Sequence, residues 1–379
     1  MVTVEIINRF IESRILERIG KGKVILLFGP RQAGKTTLMR AIAEKSGVVP
    51  LWMSGDEPDT RGFLAEATST RLKSLIGNKR LVIIDEAQRI SNIGITLKLC
   101  ADMLPNVQVI ATGSSAFELA GVTGEPLTGR KYEYHLYPLS FGELVEHHGL
   151  LEEKRLLDHR LVFGLYPEPA TRPGEERELL SLLAESYLYK DIFALGIVKK
   201  PALLERIVQA LALQIGSEVS YQELGQLVGA DKETVERYID LLEKAYVLFR
   251  LPSFSRNLRN ELKKNRKVYF WDTGIRNAVI RNFNPLHLRQ DTGALWENFL
   301  MAERLKANHY AGKNANCWFW RTHAQQEIDY LEEQDGVLSA WEFKWSVSRS
   351  PRIPKSFLAA YPGCKTGYVT ADTVENFLR

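Results

Sequence analysis

Two stretches of the 379-residue chain combine residue types and spacings that could do chemistry. The first is Gly29-Pro30-Arg31-Gln32-Ala33-Gly34-Lys35-Thr36, followed by Thr37, which fits the phosphate-binding pattern G-x(4)-G-K-[ST]. Gly29 and Gly34 let the backbone curl so that its amides point inward at a phosphate. Lys35 would reach the β- and γ-phosphates of ATP, and Thr36 would place its hydroxyl on Mg²⁺. The dipole of the helix that follows would add to the attraction. The second stretch is EIDYLEEQDGVLSAWEFKWS, residues 327–346. Asp335-Gly336 signals a two-residue hairpin turn. That register sets Gln334 opposite Val337, Asp329 opposite Glu342 and Glu327 opposite Lys344. Opposed side chains lie about 5 Å apart at Cβ, so Asp329 and Glu342 repel unless a cation joins them. One reading is a divalent-metal site, in which carboxylates hold Mg²⁺ and Lys344 assists the hydroxide that attacks phosphorus. The other is an ion-paired ribbon in solvent, where charges such as Glu332 and Glu333 are ordinary. The apolar Ile328, Tyr330, Trp341, Phe343 and Trp345 argue for one buried face and one open cleft.

The elements that must position the phosphate loop are legible around it. An apolar strand, KVILLF, runs into the loop. LVIIDEAQR (81–89) is a buried strand that ends in Asp85-Glu86. Asp85 suits the outer Mg²⁺ position, and Glu86 suits the orientation of an attacking water. VQVIA (107–111) ends in Thr112-Gly113-Ser114-Ser115, where polar groups such as Ser114 would sit near a γ-phosphate and sense its loss. Strands at 48–52 and 131–136 complete a five-stranded parallel count with helical spacers. This is the layout of an α/β nucleotide-binding domain that binds and hydrolyses ATP.

The phosphate loop, the Asp-Glu strand and the Gly-Ser-Ser after the next strand resemble the AAA+ superfamily. The runs LTGRKYEYHLYPLSFGEL (127–144), FGLYPEPA (163–170), LYKDI (188–192) and the hairpin are similar to one prokaryotic subgroup. Its members are ATPases that carry the domain of unknown function 4143 after the core. The resemblance spans nearly the whole chain. It implies a restriction-endonuclease-like C-terminal α/β domain that uses Asp329, Glu342 and Lys344, with Glu297 of DTGALWENFLMAERL (291–305) as a further acid from a helix. It also implies that Arg130 acts on a γ-phosphate, in cis or from a neighbouring copy. The plainer reading of Arg130 is a surface ion pair.

Between these ends, residues 175–215 show helical spacing, with Leu179, Leu182, Leu183 and Tyr187 on one stripe. Ser220 with Glu223 forms a capping box for a helix ending near Gly229, and Asp231 caps a second helix faced by Val235, Ile239 and Leu242. Short helix, tight turn, longer helix and a β-rich tail make a winged helix-turn-helix. Lys232, Glu233, Glu236 and Arg237 give its outer face mixed sign, which does not favour base readout. The run SRNLRNELKKNRK (255–267) is basic and reads either as a solvated face or as a phosphate contact. The expected domains are residues 1–165 (ATPase), 166–255 (helical and winged helix) and 256–379 (nuclease-like).

Composition bounds these readings without choosing among them. Hydrophobic residues make up 45% of the chain, enough for two or three domains, and a net charge of +4 does not by itself demand a polyanion. Cys100, Cys317 and Cys364 are too scattered for a disulfide framework or zinc knuckle. No apolar run reaches the ~20 residues that span a bilayer, and the charged N-terminus reads as an amphipathic helix. The expectation is a cytoplasmic protein without a membrane partner. His147-His148 splay apart on a helix, and no Ser or His shows triad logic. Two functions stay open. In one, ATP turnover repositions a Mg²⁺-dependent nuclease on DNA, in a monomer or a homo-oligomer. In the other, the ATPase is a nucleotide-gated switch whose C-terminal domain only binds nucleic acid or protein.

Overall fold

The structure is a computed structural model that describes residues 6–114, 127–185, 198, 200–255, 266–322, 324–346 and 353–378. The chain divides into two compact units, one of residues 8–138 with 244–246, the other of residues 1–7, 139–243 and 247–379. Ser115, Tyr187, the 188–192 run and residues 256–265 of the basic run lie outside the described residues. Among the described residues, no helix is long and apolar enough to cross a membrane.

The first unit is built on a five-stranded sheet in the order β2-β3-β4-β1-β5. Its strands are β1 (Val24–Phe28), β2 (Leu51–Ser54), β3 (Leu81–Asp85), β4 (Gln108–Gly113) and β5 (Lys131–His135). All neighbouring pairs are parallel. Parallel strands covered on both faces have no side that can be polar. Every residue of β1, β3 and β4 is buried accordingly. β1 passes through the phosphate loop into the helix Lys35–Ser46, which buries Leu38, Met39 and Ile42. The pairing of Phe28 with Gly113, and of Ile84 with Ala111, aligns the C-terminal ends of three strands at one edge. Nucleotide sites of open parallel sheets lie outside such an edge.

The second unit contains the winged helix and a mixed C-terminal sheet. Helix Tyr221–Val228 begins where the Ser220 side chain accepts from the Glu223 amide, and it ends at left-handed Gly229. Helix Lys232–Lys244 starts with Asp231 accepting from the Thr234 amide at 2.7 Å, and it buries Val235, Ile239 and Leu242. Strands β6 (Glu218–Val219), β7 (Leu248–Pro252) and β8 (Arg266–Phe270) form the wing in the order β6-β8-β7. Upstream, helix Glu176–Leu183 buries Leu180 and Leu183, whereas Leu182 is exposed, so the apolar stripe is rotated from the expected one.

The C-terminal sheet has the order β12-β11-β10-β9, with strands β9 (Asn316–Arg321), β10 (Glu327–Gln334), β11 (Val337–Phe343) and β12 (Lys365–Val369). Gln334 pairs with Val337 and Tyr330 with Trp341, the register that Asp335-Gly336 dictates. Both turn residues have positive φ, 52° and 79°, as a type I′ turn requires. The single open cleft does not form, because both faces of the hairpin are packed. Ile328, Leu331, Ala340 and Phe357 form one cluster, while Phe377 meets Tyr330, Trp341 and Phe343 on the other side. The register of β10 against β9 shifts by one residue between Ile328 and Leu331, a bulge that lets both residues face one core. Glu332 is also buried rather than solvated, since Arg304 and Asn308 of the helix Thr292–Ala311 bind its carboxylate.

The turn yields a direct expectation. Gly336→Val places a β-branched residue at positive φ, which costs about 1–3 kcal/mol. Thermal unfolding should begin at a lower temperature, with ATP affinity unchanged. An unaltered unfolding midpoint would mean that the turn does not hold the register.

Candidate functional site

The phosphate loop is held open by its surroundings. Gly29 has φ of 154°, and a Cβ there would lie 2.1 Å from the Leu136 carbonyl oxygen, so no other residue fits. Gly34, at φ of 93°, begins the Lys35–Ser46 helix. Ala33 is fully buried, Pro30 is buried, Arg31 is half-buried, and Gln32 and Thr37 are exposed. Lys35 is only 6% exposed and donates to the Gly29 and Pro30 carbonyls at 2.7 and 2.8 Å. Those bonds fold its ammonium back over the loop.

Asp85 ties the loop to the sheet. Its Oδ2 accepts from Thr36 Oγ1 at 2.8 Å, and its Oδ1 accepts from Thr112 Oγ1 at 2.5 Å and from the Glu86 amide at 3.1 Å. A hydroxyl and a carboxylate facing each other at the end of a P-loop are the donor types that hold Mg²⁺ beside phosphates, so these residues fit that ion. Glu86 adopts a left-handed conformation, φ 49° and ψ 42°, which lifts its side chain off the strand direction. Its Oε2 accepts from Gln88 Nε2 at 2.5 Å, and the same nitrogen reaches Ser114 Oγ at 3.1 Å.

Two contributors escaped the sequence reading. Arg9 is buried and donates to the Ala33 carbonyl and the Tyr137 carbonyl, both at 2.7 Å. In a trans peptide the C=O and the following N–H point in opposite directions. Fixing the Ala33 carbonyl therefore aims the Gly34 N–H the other way. Arg9 lies 24 residues from Ala33, and no local pattern marks it. Gln88 belongs to the DEAQR stretch, in which the two acids carry the recognisable pattern. Arg130, by contrast, sits at the opposite edge of the sheet. Its carbonyl accepts from the Val24 amide at the start of β1, and its Nε donates to Asp102 at 2.6 Å. Arg130 therefore sits at the start of β1, a strand length from the phosphate loop that follows its end.

The C-terminal carboxylates gather around two lysines. Lys344 Nζ lies 3.1 Å from Glu342 Oε2 and 3.7 Å from Asp329 Oδ2, so both acids converge on one cation. Asp329 Oδ2 also accepts from the Phe343 amide at 2.7 Å. Glu327 is not paired with Lys344. Its partners are Arg321 at 3.8 Å and Lys267 at 2.5 Å, whose ammonium also meets Glu297 at 2.9 Å. Lys267 therefore turns inward, 2% exposed, instead of joining a solvated basic face. Tyr269 donates to the same Glu297 oxygen at 2.6 Å.

These contacts set the protonation of the cluster. Burial, with Asp329 adding repulsion and Lys344 opposing it, pushes the Glu342 carboxyl up to about 7. Burial also raises Glu297, against the pull of Lys267. Burial lowers Lys267, but Glu297 and Glu327 outweigh it and drive the net shift upward. Among the described residues, no three acids or imidazoles stand together as a ready metal cage. Asp329 and Glu342 converge on Lys344, while Glu297, near enough to feel the Asp329 charge, is paired with Lys267. Since Mg²⁺ is commonly held by one or two carboxylates and its own waters, the pair fits such an ion. The two lysines can be told apart by stability. Lys267→Met leaves Glu297 without its cation and should cost about 3–5 kcal/mol. Lys344→Met, which removes a half-exposed ammonium, should cost less than about 1 kcal/mol. Chemical denaturation giving equal losses would contradict this division.

Known protein families match the chain in three stretches. The AAA domain family matches residues 21–145, a domain of unknown function, DUF8612, matches 154–286, and another, DUF4143, matches 292–379. The uncharacterized protein Rv2008c of Mycobacterium tuberculosis is 30% identical over 349 residues, covering 90% of this chain and 75% of its own. The uncharacterized protein MJ1637 of Methanocaldococcus jannaschii is 24% identical over 316 residues, covering 73% and 65%. Among solved structures, the Walker-type ATPase PABY2304 of Pyrococcus abyssi superposes with a TM-score of 0.51 at 17% identity, over 73% of this chain and 96% of that one. That likeness bears on the fold alone. With its phosphate loop, its sheet order and a mycobacterial relative matched over most of both lengths, the chain belongs to the family of P-loop ATPases in which an AAA domain is followed by DUF4143.

Proposed function

We propose that the chain binds and hydrolyses ATP, and that nucleotide state controls a Mg²⁺-dependent, nuclease-type site in the C-terminal sheet acting on DNA. The observation that carries the ATPase half is Asp85, which joins Thr36 of the loop to the backbone of Glu86 through two adjacent hydrogen bonds. In this reading the loop amides bind the phosphates, and Lys35 exchanges the Gly29 and Pro30 carbonyls for phosphate oxygens. Glu86 accepts a proton from the attacking water, with Ser114 donating toward the γ-phosphate. Mg²⁺, when bound, neutralises charge along the phosphates.

The nuclease half is supported by the convergence of Asp329 and Glu342 on Lys344. Asp329 and Glu342 would hold the ion, Glu297 would contribute from the helix, and Lys344 would steady the attacking hydroxide. The restriction-endonuclease-like core is part of the same proposal. One observation favours a second reading, a nucleotide-gated switch without cleavage. Lys267 and Lys344 already neutralise much of the acidic cluster from within the chain. A role for Arg130 would have to be toward the nucleotide of a neighbouring copy in a homo-oligomer, after release from Asp102.

Two experiments separate these possibilities. Lys35→Ala should lose ATP binding, while Glu86→Gln should keep binding and lose turnover by about 10²-fold or more. Wild-type turnover by Glu86→Gln would remove Glu86 from the role of water-orienting base. For the second site, linear and branched DNA with Mg²⁺ or Mn²⁺ should be cut by the wild type and left intact by Asp329→Asn, whose ATP affinity stays normal. Intact DNA in every wild-type incubation, with ATP turnover preserved, would leave the switch as the function.

A further inference from the structure

The polar chain around Glu86 contains a side chain that the phosphate-loop pattern does not cover. Gln88 Nε2 has two hydrogens, and its nitrogen stands 2.5 Å from Glu86 Oε2 and 3.1 Å from Ser114 Oγ. Turning the amide over would set Gln88 Oε1 against a carboxylate oxygen, two acceptors in contact, so the orientation is fixed. Gln88 Oε1 is buried with no hydrogen-bond partner among the described residues. A buried acceptor left unpaired is destabilising, and that cost is accepted here because both donors are engaged.

The consequence follows from counting protons. A serine hydroxyl has one hydrogen and two lone pairs. With one lone pair taken by Gln88, the hydroxyl hydrogen of Ser114 is directed away from the amide and meets no acceptor among the described residues. Glu86, with Oε2 satisfied by Gln88, keeps Oε1 as an acceptor. Ser114 follows the end of β4 and Glu86 follows the end of β3, the strand edge at which the phosphate loop also lies.

We propose that Gln88 is a positioning residue for ATP hydrolysis, one carboxamide that sets Ser114 as donor to the γ-phosphate and Glu86 as acceptor of the water proton. It thereby links detection of the third phosphate to the base. The inference rests on the ATPase reading above.

The test compares the full-length wild type with Gln88→Met, which keeps length and loses both donors, using calorimetric titration of ATP and ADP beside steady-state turnover. Turnover at saturating ATP should fall by about tenfold to hundredfold, within the range of general acid–base contributions. ATP affinity should weaken by about three- to tenfold, the effect of losing one hydrogen bond. ADP affinity should stay the same, because ADP has no γ-phosphate for Ser114 to meet. Adding Gln88→Met to Glu86→Gln should cost less turnover than it costs the wild type, since part of its effect passes through Glu86. Gln88→Leu, apolar and unable to donate, should repeat the pattern if the methionine variant folds poorly. Wild-type turnover with a wild-type ATP-to-ADP affinity ratio in both variants overturns the proposal. So does an equal loss of ATP and ADP affinity accompanied by a lower unfolding midpoint, the mark of a structural role. A wild type that binds no nucleotide at all removes the ATPase reading and this inference together, whereas normal wild-type binding with unaffected variants removes only this inference.

Discussion

Asp85 has lost most of its water, at 9% exposure, and its two oxygens instead take three protein donors, Thr36, Thr112 and the Glu86 amide. A desolvated carboxylate is costly unless donors surround it. That requirement draws the start of one helix and the ends of two strands to a single point. Glu86 inherits its left-handed backbone from the arrangement, and Gln88 follows within one turn of 3-10 helix. The nucleotide edge of the sheet is thus organised from one side chain outward. The second unit obeys the same rule with cations in place of hydroxyls. There Lys267 and Lys344 neutralise Glu297, Glu327, Asp329 and Glu342, and Arg304 neutralises Glu332.

Much of this was legible in the chain, wherever the determinant was local. The phosphate loop is a contiguous pattern, and its strand is a contiguous apolar run. Asp335-Gly336 determined the hairpin register because a two-residue turn leaves no freedom in pairing. Ser220, Gly229 and Asp231 marked the ends of the winged-helix pair through capping chemistry that involves neighbours three residues away. Each of these signals lies within one turn of the element it controls.

What stayed hidden depends on partners distant in sequence. Lys267 looked like one more member of a basic run, and only packing against Glu297 and Glu327 shows that it points inward. Glu332 looked solvated until Arg304, 28 positions earlier, was brought to it by the helix Thr292–Ala311. Arg9 gave no signal, since an isolated arginine before a helix resembles any surface residue. Leu182 shows the same limit for apolar patterns. A stripe drawn with one residue of phase error predicts the helix correctly and its buried face wrongly.

The bulge in β10 has a consequence for how this domain can change over time. Strand faces alternate with a period of two, so a change of one residue in strand length normally turns every following side chain over. Between Ile328 and Leu331 the extra residue has already absorbed such a turn, which leaves Ile328 and Leu331 in the same core while Asp329 remains within reach of Lys344. The position acts as a phase joint. Lineages that lost the extra residue would set the positions of Ile328 and Leu331 two apart in a regular strand, still on one face, with the hairpin paired and its turn intact. A one-residue change in length can therefore be taken up at this single place without turning the tip of the hairpin over against its base.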